Sequence, residues 1–209
     1  MKTLETPPPT ERQTCLRVNE IFYSIQGEGA RAGEPSIFVR LTGCDLACGF
    51  CDTEFESGAE MRLDELRSYI IEKKQWPCRW IVWTGGEPML QLTEKVISYF
   101  HSFGFNQAIE SNGNHRIPRS LDWIVVSPKV AEHVLARNFP NGVDELRYVR
   151  HAGHTTVPAP KILAKHYFLS PIFDGYTPNA ANVKHCMELI LANPKWKLSL
   201  QLHKLIGVL

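Results

Sequence analysis

Ser36-Ile37-Phe38-Val39-Arg40-Leu41-Thr42-Gly43-Cys44-Asp45-Leu46-Ala47-Cys48-Gly49-Phe50-Cys51 runs from a strand of period two into a loop that carries three cysteines. In the strand, Ile37, Val39 and Leu41 fall on one face, and Ser36, Phe38 and Arg40 on the other. If helices cover the first face, Arg40 points inward, where a guanidinium needs an anion and suits a carboxylate best. The alternative is an Arg snorkelling at a strand end. In the loop, the spacing C-x3-C-x2-C offers three thiolates and no fourth. A structural iron or zinc site takes four protein ligands, so three leave one coordination position for chemistry.

Outward from this stretch the chain alternates strand with helix. Apolar, β-branched and aromatic runs predict strands near Leu16 to Phe22, Ser36 to Leu41, Arg79 to Thr84, Gln107 to Ser111, Trp123 to Ser127, Glu145 to Val149, His166 to Ser170 and Trp196 to His203. Helical spacing links Leu63, Leu66, Ile70 and Ile71, then Leu92, Val96, Ile97 and Phe100, then Val183, Cys186, Leu189 and Ile190. This is an α/β pattern with a mainly parallel sheet. A full eightfold barrel needs about 250 residues, and this chain has 209. The expectation is an open, partial β/α barrel spanning residues 15–209 as one domain, behind a flexible polar and proline-rich tail at 1–14.

The last predicted strand alternates Trp196, Leu198, Leu200 and Leu202 with Lys197, Ser199, Gln201 and His203. Its polar face is either a solvated edge or part of a hydrophilic interior. Arg40 makes the second reading the better joint one, with His203 as a ligand contact or proton carrier. His101, His115 and His185 read as surface residues, and Cys15, Cys78 and Cys186 as small buried hydrophobes.

Composition narrows the classes. Lys and Arg total 23 against 22 for Asp and Glu, a net charge of +1, without the basic footprint of a nucleic-acid binder. The start Met1-Lys2-Thr3-Leu4-Glu5 followed by Pro7-Pro8-Pro9 reads as neither signal peptide nor membrane span, which gives a cytoplasmic expectation. Six cysteines, unevenly spread, suit metal binding or catalysis better than a disulfide framework.

Cys44-x3-Cys48-x2-Cys51 resembles the motif of the radical S-adenosylmethionine (SAM) superfamily, in which three cysteines hold a [4Fe-4S] cluster and SAM chelates the fourth iron. Thr84-Gly85-Gly86-Glu87-Pro88, at the end of the strand Trp80-Ile81-Val82-Trp83, resembles that superfamily's glycine-rich SAM segment. Paired glycines allow close backbone approach, and carbonyls at a strand end accept bonds from an ammonium. The finer resemblance, from about Asn19 onward, is to the 7-carboxy-7-deazaguanine synthase family. Tyr23-Ser24-Ile25-Gln26-Gly27-Glu28-Gly29 is similar to its substrate loop, and Phe38-Val39-Arg40 to the strand whose Arg binds substrate. Cys51-Asp52-Thr53 is similar to its cluster end, where the Thr is a Mg2+ ligand. Glu110-Ser111-Asn112-Gly113, Ser127-Pro128-Lys129 and Gln201-Leu202-His203-Lys204 resemble further segments in the same order.

The resemblance implies a radical-mediated ring contraction of 6-carboxy-5,6,7,8-tetrahydropterin with loss of ammonia, in queuosine or another 7-deazapurine route. SAM acts as a recycled cofactor, and the hydrogen taken from C6 returns from 5′-deoxyadenosine. It implies cluster ligands Cys44, Cys48 and Cys51, and Thr53 on Mg2+. It implies SAM contacts at Phe50, Cys51, Asp52, Gly85, Gly86, Glu87, Ser111, Ser127, Pro128, Lys129 and Ser170. Substrate contacts implied are Ile25, Gln26, Gly27, Glu28, Arg40, Thr84, Gln201, His203 and the carboxylate of Leu209. No acid or base is assigned. An electron donor such as flavodoxin or ferredoxin and a homodimer are implied as partners, with neither nucleic acid nor membrane.

Three departures stand out. The family tail commonly ends in Pro where this chain has Leu209, and Leu169-Ser170-Pro171 stands where the family has Gln-Pro. Residues 130–160 match no family segment. Two rivals stay open at this stage: a radical SAM activase of a glycyl-radical enzyme, and a zinc-binding module completed by His115 or another side chain.

Overall fold

The computed structural model describes residues 15–49, 51 and 53–208. Phe50, Asp52 and Leu209, and the tail at 1–14, lie outside the described residues. Nine strands form one sheet: β1 (Cys15–Ile25), β2 (Pro35–Leu41), β3 (Ala59–Arg62), β4 (Trp80–Gly85), β5 (Asn106–Ser111), β6 (Trp123–Val126), β7 (Val143–Arg150), β8 (Ala164–Pro171) and β11 (Lys197–Leu198). Their order is β3-β1-β2-β4-β5-β6-β7-β8-β11, open at both ends. From β2 to β11 every neighbour is parallel. β1 runs antiparallel to both β2 and β3. A second ribbon pairs β9 (Phe173–Asp174) with β10 (Thr177–Pro178).

Period two sorts the strands onto two faces. Ile37, Val39, Leu41, Ile81, Trp83 and Ile109 are buried under the helices on one side. The helix Glu94–His101 closes part of that side with Val96, Ile97 and Phe100, and the Thr93 hydroxyl caps it by accepting from the Val96 N–H. A polar intrusion there is satisfied: Trp83 Nε1 donates to Gln107 Oε1 at 3.0 Å, and Gln107 Nε2 donates to the Ile97 carbonyl at 2.8 Å. On the opposite face Phe38, Val82 and Ala108 form a small apolar layer, with Phe22 stacked on Phe38 at 4.9 Å. One step towards the carboxyl ends, that face turns polar, with Arg40 paired in register with Thr84 and Glu110 on the next strand.

Several sequence expectations change. The strand predicted over Trp196 to His203 is only Lys197–Leu198, and Leu202–Ile206 is a helix. Ser199 makes the last ladder bond, to the Leu169 carbonyl, and accepts from the Gly29 N–H, while the Leu202 N–H donates to the Gly27 carbonyl. These bonds pull the chain off the sheet edge, so the alternation of Leu200 and Leu202 has no sheet to pack on. The helix predicted from Leu92 starts at Glu94, because Thr93 takes the cap. β3 carries no strand signal in sequence and forms by pairing with the amino end of β1. Cys78 and Cys186 are buried as expected, whereas Cys15 at the sheet edge is half-exposed.

Candidate active site

A cavity of about 470 Å³ opens at the carboxyl ends of the parallel strands and is lined by Cys44, Cys48 and Cys51. This is the end at which α/β sheets hold their ligands. The cysteine loop leaves β2 and is fastened from two sides. Gly43 N–H donates to the Phe55 carbonyl, and the Asp45 carboxylate accepts from Asn112 Nδ2 at 2.7 Å, Asn114 Nδ2 at 2.9 Å and His115 Nε2 at 3.1 Å. Burial by itself would raise the Asp45 carboxyl, but the Asn114 and Asn112 amides outweigh it and hold the group below the usual carboxylate range. His115, read from sequence as a plain surface residue, is therefore one of the loop's ties. Burial pushes the Cys44 thiol up, and the neighbouring Asp45 and Glu87 charges act in the same direction.

Gly85 and Gly86 line the same cavity, and each is required by the protein backbone itself. Gly85 has φ +132°, and a Cβ there would lie 2.1 Å from the Leu41 carbonyl oxygen; one on Gly86 would lie 2.0 Å from that of Gly43. The glycine pair lets the cysteine loop pass directly over the end of β4. Glu87 lies behind this wall, fully buried. Its carboxylate accepts from the Met89 N–H at 3.0 Å, the Ser111 hydroxyl at 2.9 Å and the Asn112 N–H at 2.8 Å. Burial nonetheless raises its pKa. Glu87 thus joins the glycine turn to β5 and does not line the cavity. Ser111, Ser127, Lys129 and Ser170 do line it. Burial lowers the Lys129 ammonium, which donates to the Ser127 hydroxyl. Pro128 lines a separate groove with Cys48 and Lys129.

A second cavity, of about 640 Å³, adjoins the first. Ile25, Gln26, Gly27, Glu28, Arg40, Thr53, Thr84, Gln201 and His203 all line it. Arg40 holds Glu20 at 3.4 Å and lies over the Phe22 ring. Gly27 and His203 interlock: a Cβ on Gly27 would lie 1.9 Å from His203 Nδ1. Beside Thr53, the Glu54 carboxylate accepts from the Ser57 hydroxyl at 2.6 Å, the Ser57 N–H at 2.8 Å, Asn19 Nδ2 at 2.6 Å and the Glu56 N–H at 2.7 Å. The Ser57 bonds lead in holding its pKa down at about 2.

Glu28, Thr84, Glu110, Arg147, Gln201 and Lys204 line both cavities and form the seam between them. Within it, Arg147 donates to Glu28 Oε2 at 3.0 Å, Glu110 Oε1 at 3.3 Å and Glu145 Oε2 at 3.5 Å. Burial works against the Arg147 charge, but Glu110, Glu28 and Glu145 outweigh it and raise the pKa. Burial raises Glu110 against the pull of Arg147. Sequence reasoning missed Arg147 and Glu145, although the alternation of Val143, Glu145, Arg147 and Val149 on one strand face was a readable signal. It quoted Glu110 and Lys204 within motifs without giving either a role. The β9–β10 ribbon over the cavities was also missed; Lys204 Nζ donates to its Gly175 carbonyl at 3.1 Å.

The donor set fits an iron–sulfur cluster. Three free thiols line one cavity, and no fourth cysteine lines it with them. Among the described residues no three His, Cys, Asp or Glu side chains converge as a single metal ion requires.

Comparison with known proteins agrees with this geometry. No protein-family model matches the chain. A relative from Bacteroides thetaiotaomicron named 7-carboxy-7-deazaguanine synthase is 37% identical over 192 residues, 92% of this chain and 98% of the relative. Proteins of the same name from Burkholderia multivorans and Neisseria meningitidis are 37% and 31% identical over 213 and 220 residues, covering 91% and 100% of this chain and 98% and 100% of theirs. The crystal structure of QueE from Escherichia coli superposes with a TM-score of 0.71 at 23% identity, over 90% of this chain and 95% of that one, which shows the shared fold.

Proposed function

The chain belongs to the 7-carboxy-7-deazaguanine synthase family, and from that premise we propose how its two cavities divide the work. It is a radical SAM enzyme of queuosine biosynthesis that forms 7-carboxy-7-deazaguanine from 6-carboxy-5,6,7,8-tetrahydropterin, using a [4Fe-4S] cluster and SAM. The first cavity takes cluster and SAM, and the second takes the pterin. The observation that carries this division is the seam: a cavity lined by three thiols shares a wall with a cavity lined by Arg40, Gln26 and His203.

Cys44, Cys48 and Cys51 would hold the cluster, which together with SAM supplies a hydrogen-abstracting radical. Gly85, Gly86, Ser111, Ser127, Lys129 and Ser170 would orient SAM. Phe50 and Asp52 would join them, with Glu87 acting from behind the wall and Pro128 from the adjoining groove. Arg40 would exchange its long contact with Glu20 for the pterin carboxylate, a better bidentate partner. Gln26 is already fixed by donating to Glu110 at 3.0 Å and accepting from the Glu28 N–H at 3.2 Å, so it presents a rigid edge to the substrate. Thr84, Glu28, Gln201 and His203 would complete the pterin site, with Ile25 and Gly27 as its rim and Leu209 as a further contact implied by the family resemblance. Thr53 would give one oxygen to Mg2+, a hard cation that keeps few protein ligands.

The same reading takes residues 15–209 as one partial-barrel domain behind the 1–14 tail. It carries a one-electron donor such as flavodoxin or ferredoxin, a homodimer and a cytoplasmic location. Among the described residues no helix is long and apolar enough to cross a membrane.

The test is anaerobic reconstitution with iron and sulfide, then assay of 6-carboxytetrahydropterin with SAM, Mg2+ and a strong reductant. The expected product is 7-carboxy-7-deazaguanine. SAM cleavage that leaves the pterin unchanged would overturn the assignment of the second cavity.

A further inference from the structure

We propose that Arg147 is a positioning residue that couples the two cavities, so that occupancy of the first changes affinity in the second. The inference rests on the assignment of SAM and pterin above and concerns how the sites communicate.

A chain of polar contacts runs through Arg147 from one cavity to the other. Ser170, on the wall of the first, donates to Glu28 Oε2 at 3.4 Å; Arg147 holds that same oxygen at 3.0 Å and Glu110 Oε1 at 3.3 Å. Gln26, on the wall of the second, donates to the same Glu110 oxygen at 3.0 Å. Glu145 backs the guanidinium at 3.5 Å and is itself fixed by the Trp123 indole N–H at 2.7 Å. The fit is tight. A Cβ on Gly29 would lie 1.9 Å from Glu145 Oε2 and 2.9 Å from Arg147 Nη2.

Structural stability is a poor reason for this cluster. Three largely buried carboxylates meet one guanidinium, a buried Arg147 Nε has no hydrogen-bond partner, and replacing such buried ion clusters by apolar side chains of similar volume is often neutral or stabilising. The excess negative charge faces cavities that receive ligands. SAM, with a sulfonium and an ammonium against one carboxylate, brings net positive charge to the side of Glu28 and Glu110. That charge favours ionised carboxylates along the seam, which are the better acceptors for the N–H groups of a pterin. Arg147 keeps Glu28 and Glu110 in one rigid unit, so the effect reaches the second cavity.

The test measures pterin binding to the reconstituted, unreduced enzyme, with SAM or with S-adenosylhomocysteine, which lacks the sulfonium charge, in the first cavity. The wild type should bind the pterin about tenfold more tightly with SAM than with S-adenosylhomocysteine, an ordinary size for site coupling. Arg147→Met should reduce that ratio to within about twofold. If Arg147→Met does not fold, Arg147→Lys decides, since an ammonium lacks the fork that spans Glu28 and Glu110 and should give a smaller ratio than wild type. A wild-type ratio near one, or a full ratio in the folded variant, would overturn the proposal. Turnover of pterin by the wild type reports separately on the functional assignment.

Discussion

The two faces of the central sheet are made by the same strands and obey opposite rules. Under the helices, Ile37, Val39, Leu41, Ile81, Trp83 and Ile109 are wholly buried and apolar, and the polar Gln107 among them is satisfied on the spot. On the other face, one residue away along each strand, lie Arg40, Thr84, Glu110, Glu145 and Arg147, charges and hydroxyls that gain little for stability where they stand. The comparison separates the part of the chain that folds the protein from the part that binds. Substitutions on the helix face should cost stability, and those on the other face should cost binding or turnover.

The largest expected effect comes from the cysteine loop. Cys48→Ala should abolish product formation and lower iron content on reconstitution, while urea unfolding of the cluster-free protein stays within about 0.5 kcal/mol of the cluster-free wild type, as for a substitution outside the core. A destabilised Cys48→Ala protein would blur the comparison.

On the other side, Ile97→Ala removes a fully buried side chain from the helix that covers β4 and β5. It should cost about 2–5 kcal/mol in urea denaturation, with KM for the pterin unchanged in the folded fraction.

Arg40→Met should raise KM for the pterin by about 10- to 100-fold, the worth of a lost charge-assisted bond, with SAM affinity unaffected. Equal losses for both ligands would mean that the two cavities are not separate sites.

The smallest effect is the turn beside Thr53. The Glu54 carboxyl has an ordinary value of 4.5 and sits at about 2 in the folded protein. A lowered folded-state pKa stabilises only where the group is ionised. That contribution is therefore full above about pH 4.5 and fades as pH falls towards 2. Carbon-13 titration of Glu54 should give a midpoint near 2 in the wild type and a higher one in Ser57→Ala. An unchanged midpoint in that variant would remove Ser57 as the leading cause.

How much of this the sequence disclosed follows from where the information sits. Strands such as Ser36 to Leu41 carry their faces in a local period of two, and the helix face of the sheet could be read from them directly. The cysteine loop and glycine turn were legible as motifs, although the close approach that Gly85 and Gly86 permit turns out to be to the Leu41 and Gly43 carbonyls. Of the seam, only the shared face of Glu145 and Arg147 is readable in this way. Glu110, Glu145 and Arg147 are brought together by the parallel register of β5 to β7, and Glu28 reaches them from the loop after β1, which is tied down by the Gly29 N–H on Ser199 and the Leu202 N–H on the Gly27 carbonyl. The carboxyl-terminal segment misled for the opposite reason: Leu198, Leu200 and Leu202 keep a strand's period, but bonds to Gly27 and Gly29, far away in sequence, turn the chain into a helix. Local patterns survive in sequence; bonds between distant segments do not.

On the proposed division, chemistry begun in the cysteine cavity crosses the seam to a substrate in the other. Transfer of deuterium from C6 of labelled 6-carboxytetrahydropterin is its most direct measure. Label is expected in the SAM recovered after turnover, as it would be if the SAM held in the first cavity supplies the radical that takes and returns that hydrogen. SAM cleaved under the same conditions with all the label still on the pterin would contradict it.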